Sequence, residues 1–308
     1  MTYAPRKIFI DGEAGTTGLQ IREKLAKRKD VEVVSIDPEK RKDAAAKADI
    51  LRHVDLTILC LPDAAAQESV ALVDSLGADG PRVLDASTAH RVAPGWTYGF
   101  PELAAGQAEE IAAARRVSNP GCYATGAIAI LRPLVDAGLI DAGHPVAINA
   151  VSGYSGGGKQ MIEAYESGRA PPFELYGLGL EHKHVPEIVA YAHLRARPLF
   201  IPSVGNFRQG MLVSLPLCLD ELAAKPHAGD LEAVLADHYA GRKHVRVVAA
   251  EENGKLEPEA LNGTNDLEIR VFANEARRQV VIVARLDNLG KGASGAAVQN
   301  MDLMLARE

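Results

Sequence analysis

The chain has 308 residues, 47% of them hydrophobic and 24% charged, with a formal net charge of −6, an ordinary globular mixture long enough for two hydrophobic cores. The acidic balance argues against a nucleic-acid partner, which would want a basic excess, and no apolar run approaches the ~18 residues that span a bilayer, so no membrane partner is expected. Cys60, Cys122 and Cys218 are odd in number and far apart; they do not read as a disulfide framework, and with no secretory pattern at the start of the chain the expected location is cytoplasmic.

In chain order, Lys7–Asp11 reads as a strand and Thr17–Lys29 as an amphipathic helix. Val31–Ile36 and Asp55–Leu61 are further strands, Ala64–Leu76 a helix, and Arg82–Asp85 another strand. Strands alternating with helices imply βαβ units and a parallel sheet. From about Pro145 the texture changes. Val146–Val151 is apolar, Ser152–Lys159 is glycine-rich, and Met211–Leu219, Val245–Val248, Leu267–Ala273 and Gln279–Leu286 read as more antiparallel strands. Leu231–Arg242 reads as a helix among them, and Gly292–Leu305 as a closing helix. The expected fold class is therefore α/β: a Rossmann-type doubly wound parallel sheet, then an α+β catalytic domain with a mostly antiparallel sheet.

The first strand runs into Asp11-Gly12-Glu13-Ala14-Gly15-Thr16-Thr17-Gly18. Gly12, Gly15 and Gly18 permit a tight turn, and the backbone N–H groups at Thr16 and Thr17 can approach a pyrophosphate at a helix N-terminus. The second strand ends in Ser35, Ile36 and Asp37, followed by Lys40, Arg41 and Lys42. An acid there suits the NAD ribose and a base the NADP phosphate; both are present, and the basic triplet tips the reading to NADP.

Ser118-Asn119-Pro120-Gly121-Cys122-Tyr123-Ala124-Thr125-Gly126 makes a turn before a helical run, Ala124–Val135. Cys122 thus falls near a helix N-terminus, where the macrodipole and free N–H groups favour a nucleophilic thiolate. Cys60 and Cys218 lie inside apolar strand patterns and read as structural. Glu181-His182-Lys183-His184-Val185-Pro186-Glu187 can supply an acid or base. Zinc fits poorly, because the two histidines alternate as on a strand and no C-x-x-C is present; no metal is expected.

Together these segments resemble the N-acetyl-γ-glutamyl-phosphate reductases, in particular their short form. The resemblance runs through the glycine turn, Asp85–Arg91, Tyr98–Glu102, Ser118–Thr125, Ser152–Lys159, His182–Glu187, Gly205–Gly210 and Asp287–Met304. It implies NADPH-dependent reductive dephosphorylation of a small anionic acyl phosphate, N-acetyl-L-glutamyl 5-phosphate, to the 5-semialdehyde in arginine biosynthesis. Cys122 matches the nucleophile. His182 is placed first as acid/base, with Glu187 as a possible orienting group and His184 as the alternative. It implies cofactor contacts at Ser35, Arg41, Leu61, Pro62, Ser87, Asn288, Lys291, Gly292 and Asn300. Substrate contacts would fall at Arg91, Asn119, Ser152, Tyr154, Gly156, Lys159 and Arg208. The implied domains are 1–120 for the dinucleotide and 121–290 for catalysis and dimerisation, with a helix over 291–308 packing back on the first, in a homo-oligomer (dimer or tetramer). Aspartate-semialdehyde dehydrogenase, or a related phosphorylating aldehyde dehydrogenase, is the nearest enzymatic alternative. A dinucleotide-binding thiol redox sensor is the alternative of another class.

Overall fold

A computed structural model describes residues 4–306. The final two residues of the expected closing helix lie outside them, as do the first three of the chain. The chain divides into two compact units: one holds the residues up to Pro101, Gly106–Pro120 and everything from Ala293; the other holds Glu102–Ala105 and Gly121–Gly292.

The first unit runs β1 (Arg6–Asp11), α1 (Thr16–Leu25), β2 (Val31–Val34), α2 (Ala44–Leu51), β3 (Leu56–Leu59), α3 (Asp63–Ser75), β4 (Arg82–Asp85), β5 (Thr97–Tyr98), α4 (Gln107–Ala113) and β6 (Arg116–Ser118). All strands pair in parallel in the order β2-β1-β3-β4-β6-β5. The pleat sends alternate side chains to opposite faces. Ile8 and Ile10 join one core with Ile21, Leu56, Ile58, Ile111 and Met301. Phe9 joins another with Leu51, Leu59, Val70 and Val83. Helix α1 stops four residues short of the expected Lys29. Past Leu25, the last of its buried positions, come only an exposed Ala26 and the charged Lys27, Arg28 and Lys29, so nothing further packs into the core.

The second unit continues with α5 (Cys122–Asp136), β7 (Ala147–Gly153), α6 (Gly158–Glu166), β8 (Phe173–Leu175), α7 (Val185–Tyr191), β9 (Leu199–Gly205), β10 (Met211–Cys218), α8 (Ala228–His238), β11 (Val245–Val247), β12 (Leu267–Asn274) and β13 (Gln279–Leu286). The seven strands are ordered β11-β12-β13-β10-β7-β9-β8. The sheet is mixed: β7 with β9 and β11 with β12 are parallel, the other neighbours antiparallel. Helix α5 is buried along most of its length. A π-helical turn, Gly290–Ser294, leads into the closing helix α9 (Gly295–Leu305), which belongs to the first unit and supplies Ala297, Met301 and Met304 to its core. Arg82 clamps that helix: its guanidinium donates to the carbonyls of Ala112 and Ala114, which close α4, and of Met304, which closes α9.

On β12, Leu267, Ile269 and Val271 alternate with Glu268 and Arg270. Glu268 accepts from Arg270 and Arg285 at 2.7 Å each and from Arg246 at 2.8 Å. Burial alone would raise its pKa, but the three guanidiniums outweigh that and hold it down to about 2 against an ordinary 4.5. A depressed carboxylate stabilises the fold above its unfolded pKa, and that contribution is lost as the pH falls. The melting temperature of the wild-type protein should therefore exceed that of Glu268→Gln at neutral pH, with the gap shrinking as the pH falls from 4.5 towards 2. A gap independent of pH would show that the ionised carboxylate is not what stabilises the sheet.

Candidate active site

In the first unit the glycine turn lies at the C-terminal end of β1, between β2 and β3, where the strand order reverses direction and open α/β sheets bind their ligands. Gly12 has φ +93°, and a Cβ there would stand 2.3 Å from the Cys60 carbonyl oxygen. Only glycine allows the turn to lie this close to the end of β3. The Gly15 N–H donates to the Gly12 carbonyl at 3.0 Å, and Thr16 and Thr17 open α1. A pocket of about 930 Å³ opens beside the turn, lined by Gly12, Gly15, Arg41, Lys42, Leu61 and Pro62 among others. Its floor holds groups that the sequence did not single out. Asp11, buried, accepts from Ser69 Oγ at 2.5 Å and pairs with Lys47 Nζ at 2.8 Å, tying α2 and α3 to the strand end. The flanking Cys60 thiol is pushed up to about 12 by burial, with Asp85 and Asp11 adding to it. It therefore stays protonated. Nothing in the donor set conflicts with a dinucleotide: a backbone cradle faces a roomy pocket with cationic side chains.

At the end of β4, Asp85 organises the next loop. Its carboxylate accepts from the Ser87 N–H and hydroxyl at 2.9 and 2.7 Å and meets His90 Nδ1 at 2.6 Å. His90 stacks on Trp96 at 4.3 Å. This fixes the segment that carries Arg91, which is buried and donates from Nε to the Asn119 carbonyl at 3.1 Å. Asn119 donates from Nδ2 to the Ala293 carbonyl, and its Oδ1 accepts from Asn300 Nδ2 at 3.0 Å. Asn300 also reaches the Gly99 carbonyl at 2.8 Å.

In the second unit Cys122 is the first residue of α5, half-buried, with Gly121 as N-cap. The Gly121 N–H donates to Glu187 Oε2 at 3.1 Å, and the other carboxylate oxygen lies 4.0 Å from His184 Nε2. The histidines do not sit on a strand as the spacing suggested. They occupy a turn that ends in the N-cap of α7, His184, because Pro186 and the apolar Val185 and Ile188 commit the chain to a helix. The rings pack 4.8 Å apart. His182 Nδ1 accepts the His184 N–H at 3.2 Å, so the neutral ring carries its proton on Nε2. His184 is buried and His182 half-buried.

Two phenols that sequence reasoning missed frame this cluster. Tyr176 Oη donates to Tyr123 Oη at 3.1 Å, and Tyr123 Oη donates to the Ser203 carbonyl at 2.8 Å. Both rings lie within 6.0 Å of the His182 ring. Burial pushes Tyr123 well up and Tyr176 to about 12, with the nearby Cys122 sulfur contributing to both, so both keep their protons. A Cβ on Gly292 would stand 2.8 Å from Cys122 Cβ, so the backbone of the π-turn lies against the nucleophile. That turn is tightly anchored. Asp287 accepts from Gln209 and the Gly263 N–H, and Asn288 bonds the Gly210 N–H at 2.8 Å and Ser155 Oγ at 3.0 Å. Lys291 is buried on Glu102 at 2.7 Å. Among the expected substrate contacts, Ser152 is buried, Tyr154 stacks on Tyr165 at 4.9 Å, Gly156 and Lys159 are exposed, and Arg208 pairs with Glu166 at 2.5 Å. Among the described residues no group of three or more His, Cys, Asp or Glu could hold a metal ion.

Residues 7–113 match the family model described as semialdehyde dehydrogenase, NAD binding domain, and residues 122–288 the one described as semialdehyde dehydrogenase, dimerisation domain. The curated N-acetyl-gamma-glutamyl-phosphate reductase of Brucella ovis is 55% identical over 98% of this chain and 99% of its own length. That of a Chelativorans species is 55% identical over 97% and 98%. Among solved structures, aspartate semialdehyde dehydrogenase from Francisella tularensis superposes with a TM-score of 0.76, covering 98% of this chain and 100% of that one, at 13% identity, a likeness of fold alone.

Proposed function

Because the chain belongs to the N-acetyl-gamma-glutamyl-phosphate reductase family, within the semialdehyde dehydrogenases, we propose that it reduces N-acetyl-L-glutamyl 5-phosphate to N-acetyl-L-glutamate 5-semialdehyde with NADPH, in arginine biosynthesis, through a thioester on Cys122. One observation carries the mechanism. Cys122 opens α5, and the N-cap of that helix is held by Glu187 from the segment that also presents His182 and His184.

The helix N-terminus favours the thiolate by roughly 0.3–1 kcal/mol. The sulfur attacks the acyl carbonyl, a C–S bond forms, the C–O bond to phosphate breaks, and inorganic phosphate leaves. N–H groups of the first turn of α5 are suited to hold the oxyanion, a donor worth about 3 kcal/mol. His182, with its proton on Nε2, enters as a hydrogen-bond donor towards the developing oxyanion and then towards the sulfur, which departs as the C–S bond breaks and is again the thiolate that began the cycle. When bound, the reduced nicotinamide supplies the hydride that a free carboxylate would resist and a thioester carbonyl accepts. Gly12, Gly15, Thr16, Thr17, Gly18, Ser35, Arg41, Leu61, Pro62 and Ser87 would hold the dinucleotide. Asn288, Lys291, Gly292 and Asn300 would serve it through the anchored backbone that they build. Arg91 and Lys159 offer cations for the substrate phosphate and carboxylate, with Arg208 available on leaving Glu166; Asn119, Ser152, Tyr154 and Gly156 complete the contacts.

A homo-oligomer is inferred from the match to a dimerisation domain and from the exposed apolar residues Phe173 and Leu175 on β8, Leu178 and Leu180 in the connection that follows it, and Leu199 at the start of β9. No helix among the described residues is long and apolar enough to cross a membrane, and the three cysteines are free thiols, which suits a reducing cytoplasm.

Run in reverse, the reaction provides the test. NADP⁺ reduction should appear with N-acetylglutamate semialdehyde only when phosphate is present, and not with aspartate semialdehyde. Preference for aspartate semialdehyde would reassign the substrate, and turnover without phosphate would remove the acyl-phosphate step.

A further inference from the structure

The rim of the nucleotide pocket holds a closed triangle of polar groups. Glu13 Oε2, in the glycine turn, accepts from Arg22 Nη1 and, at 2.9 Å, from Ser35 Oγ. Arg22 Nη1 also donates to Ser35 Oγ at 3.0 Å. Glu13 lines the pocket, as does Ile36, the neighbour of Ser35. Ser35 follows β2 directly, the place from which this type of sheet addresses the adenosine ribose at its 2′ position. A guanidinium and a hydroxyl aimed at one point form the donor set of a phosphate monoester. The acceptor on that point is a single carboxylate oxygen.

The other acid at this strand end is committed elsewhere. Asp37 Oδ1 accepts the Glu39 N–H at 3.0 Å, and its carbonyl accepts the Lys40 N–H at 2.8 Å, closing the turn after β2. Arg41 and Lys42 add positive potential along the same pocket. The glycine turn is fixed through its backbone at Gly12, so Glu13 can leave the triangle by side-chain rotation alone.

We propose that Arg22 and Ser35 form the seat for the 2′-phosphate of NADP(H), and that Glu13 is an internal competitor for that seat. A 2′-phosphate must displace the carboxylate, whereas a bare ribose diol leaves it in place. Glu13 therefore sets how strongly the protein discriminates between the two nucleotides. The inference rests on the reading of the protein as an NADPH enzyme. Arg22 is half-exposed, with 51% of its side chain accessible, so the ion pair to be broken is a weak one and the competition amounts to a few-fold.

The test is calorimetric titration of the full-length protein, Glu13→Gln and Arg22→Gln with 2′,5′-ADP and with 5′-AMP at one fixed ionic strength. Glu13→Gln should bind 2′,5′-ADP about fivefold tighter, the scale of a surface ion pair, with 5′-AMP unchanged. Arg22→Gln should bind 2′,5′-ADP about tenfold more weakly, again with 5′-AMP unchanged. If the wild type prefers 2′,5′-ADP but Glu13→Gln binds it no tighter, the competitor role is wrong and the NADPH reading stands. If Arg22→Gln weakens both ligands alike, the seat is wrong. If none of the three proteins prefers 2′,5′-ADP to 5′-AMP, the NADPH reading falls and takes the inference with it.

Discussion

Replacing Cys122 by serine should abolish turnover while leaving the fold and dinucleotide binding intact. The substitution exchanges one atom at the first position of α5, where the oxygen fits the space that the sulfur held. What it removes is ionisation: the helix terminus offers at most about 1 kcal/mol, far too little to make an alkoxide from a hydroxyl, which is a much weaker acid than a thiol. Without the thiolate no thioester forms, and kcat should drop by about a thousandfold or more, some 4 kcal/mol of transition-state stabilisation. Thermal melting and fluorescence titration with NADPH report the two properties that should not change. A variant that keeps more than about a tenth of the wild-type rate, a loss under ~1.4 kcal/mol, would show that the chemistry does not pass through the sulfur.

The second large effect is expected at His182. Its Nδ1 is already occupied by the His184 N–H, which leaves the Nε2–H as the group available to donate a hydrogen bond to the reacting oxyanion. Asparagine can retain an acceptor near the Nδ1 position and has nothing where Nε2 was. His182→Asn should therefore lose about 10²–10³-fold in kcat, the usual contribution of a positioned oxyanion donor, with KM nearly unchanged. The companion variant His184→Gln separates the two rings. If it loses as much while melting like the wild type, and His182→Asn is mild, the role moves to His184 and its neighbour Glu187.

The parts of this molecule that were legible in the sequence are those set by local rules. Strand β1 and the glycine turn announce themselves because an apolar run, a positive-φ glycine and a helix start follow one another within a dozen residues. Strand β13 was readable to its last residue, since its ends coincide with a turn at Arg278 and with Asp287. Helix α6 was hidden because it begins inside the glycines of Ser152–Lys159, a composition that reads as loop. Helix α7 has only seven residues, too few to show a helical period, and the alternating histidines before it mimic a strand. Cys122 could be singled out from the Pro120-Gly121 turn alone. The Glu187 contact to Gly121 bridges 66 positions and that of Lys291 to Glu102 bridges 189, and no local pattern encodes partners that distant.

The first unit draws its core from both ends of the chain. Ile8 and Ile10 pack in the same cluster as Ala297, Met301 and Met304, and Arg82 donates to a carbonyl 222 positions further along the chain. On the ribosome, domains usually close in the order in which they emerge. Here the second unit, whose residues end at Gly292, can finish folding while the earlier-made sheet still exposes an unfilled hydrophobic groove. Without Ala297, Met301 and Met304 that groove stays open, so a variant truncated at Gly292 should aggregate on expression where the full-length protein stays in solution.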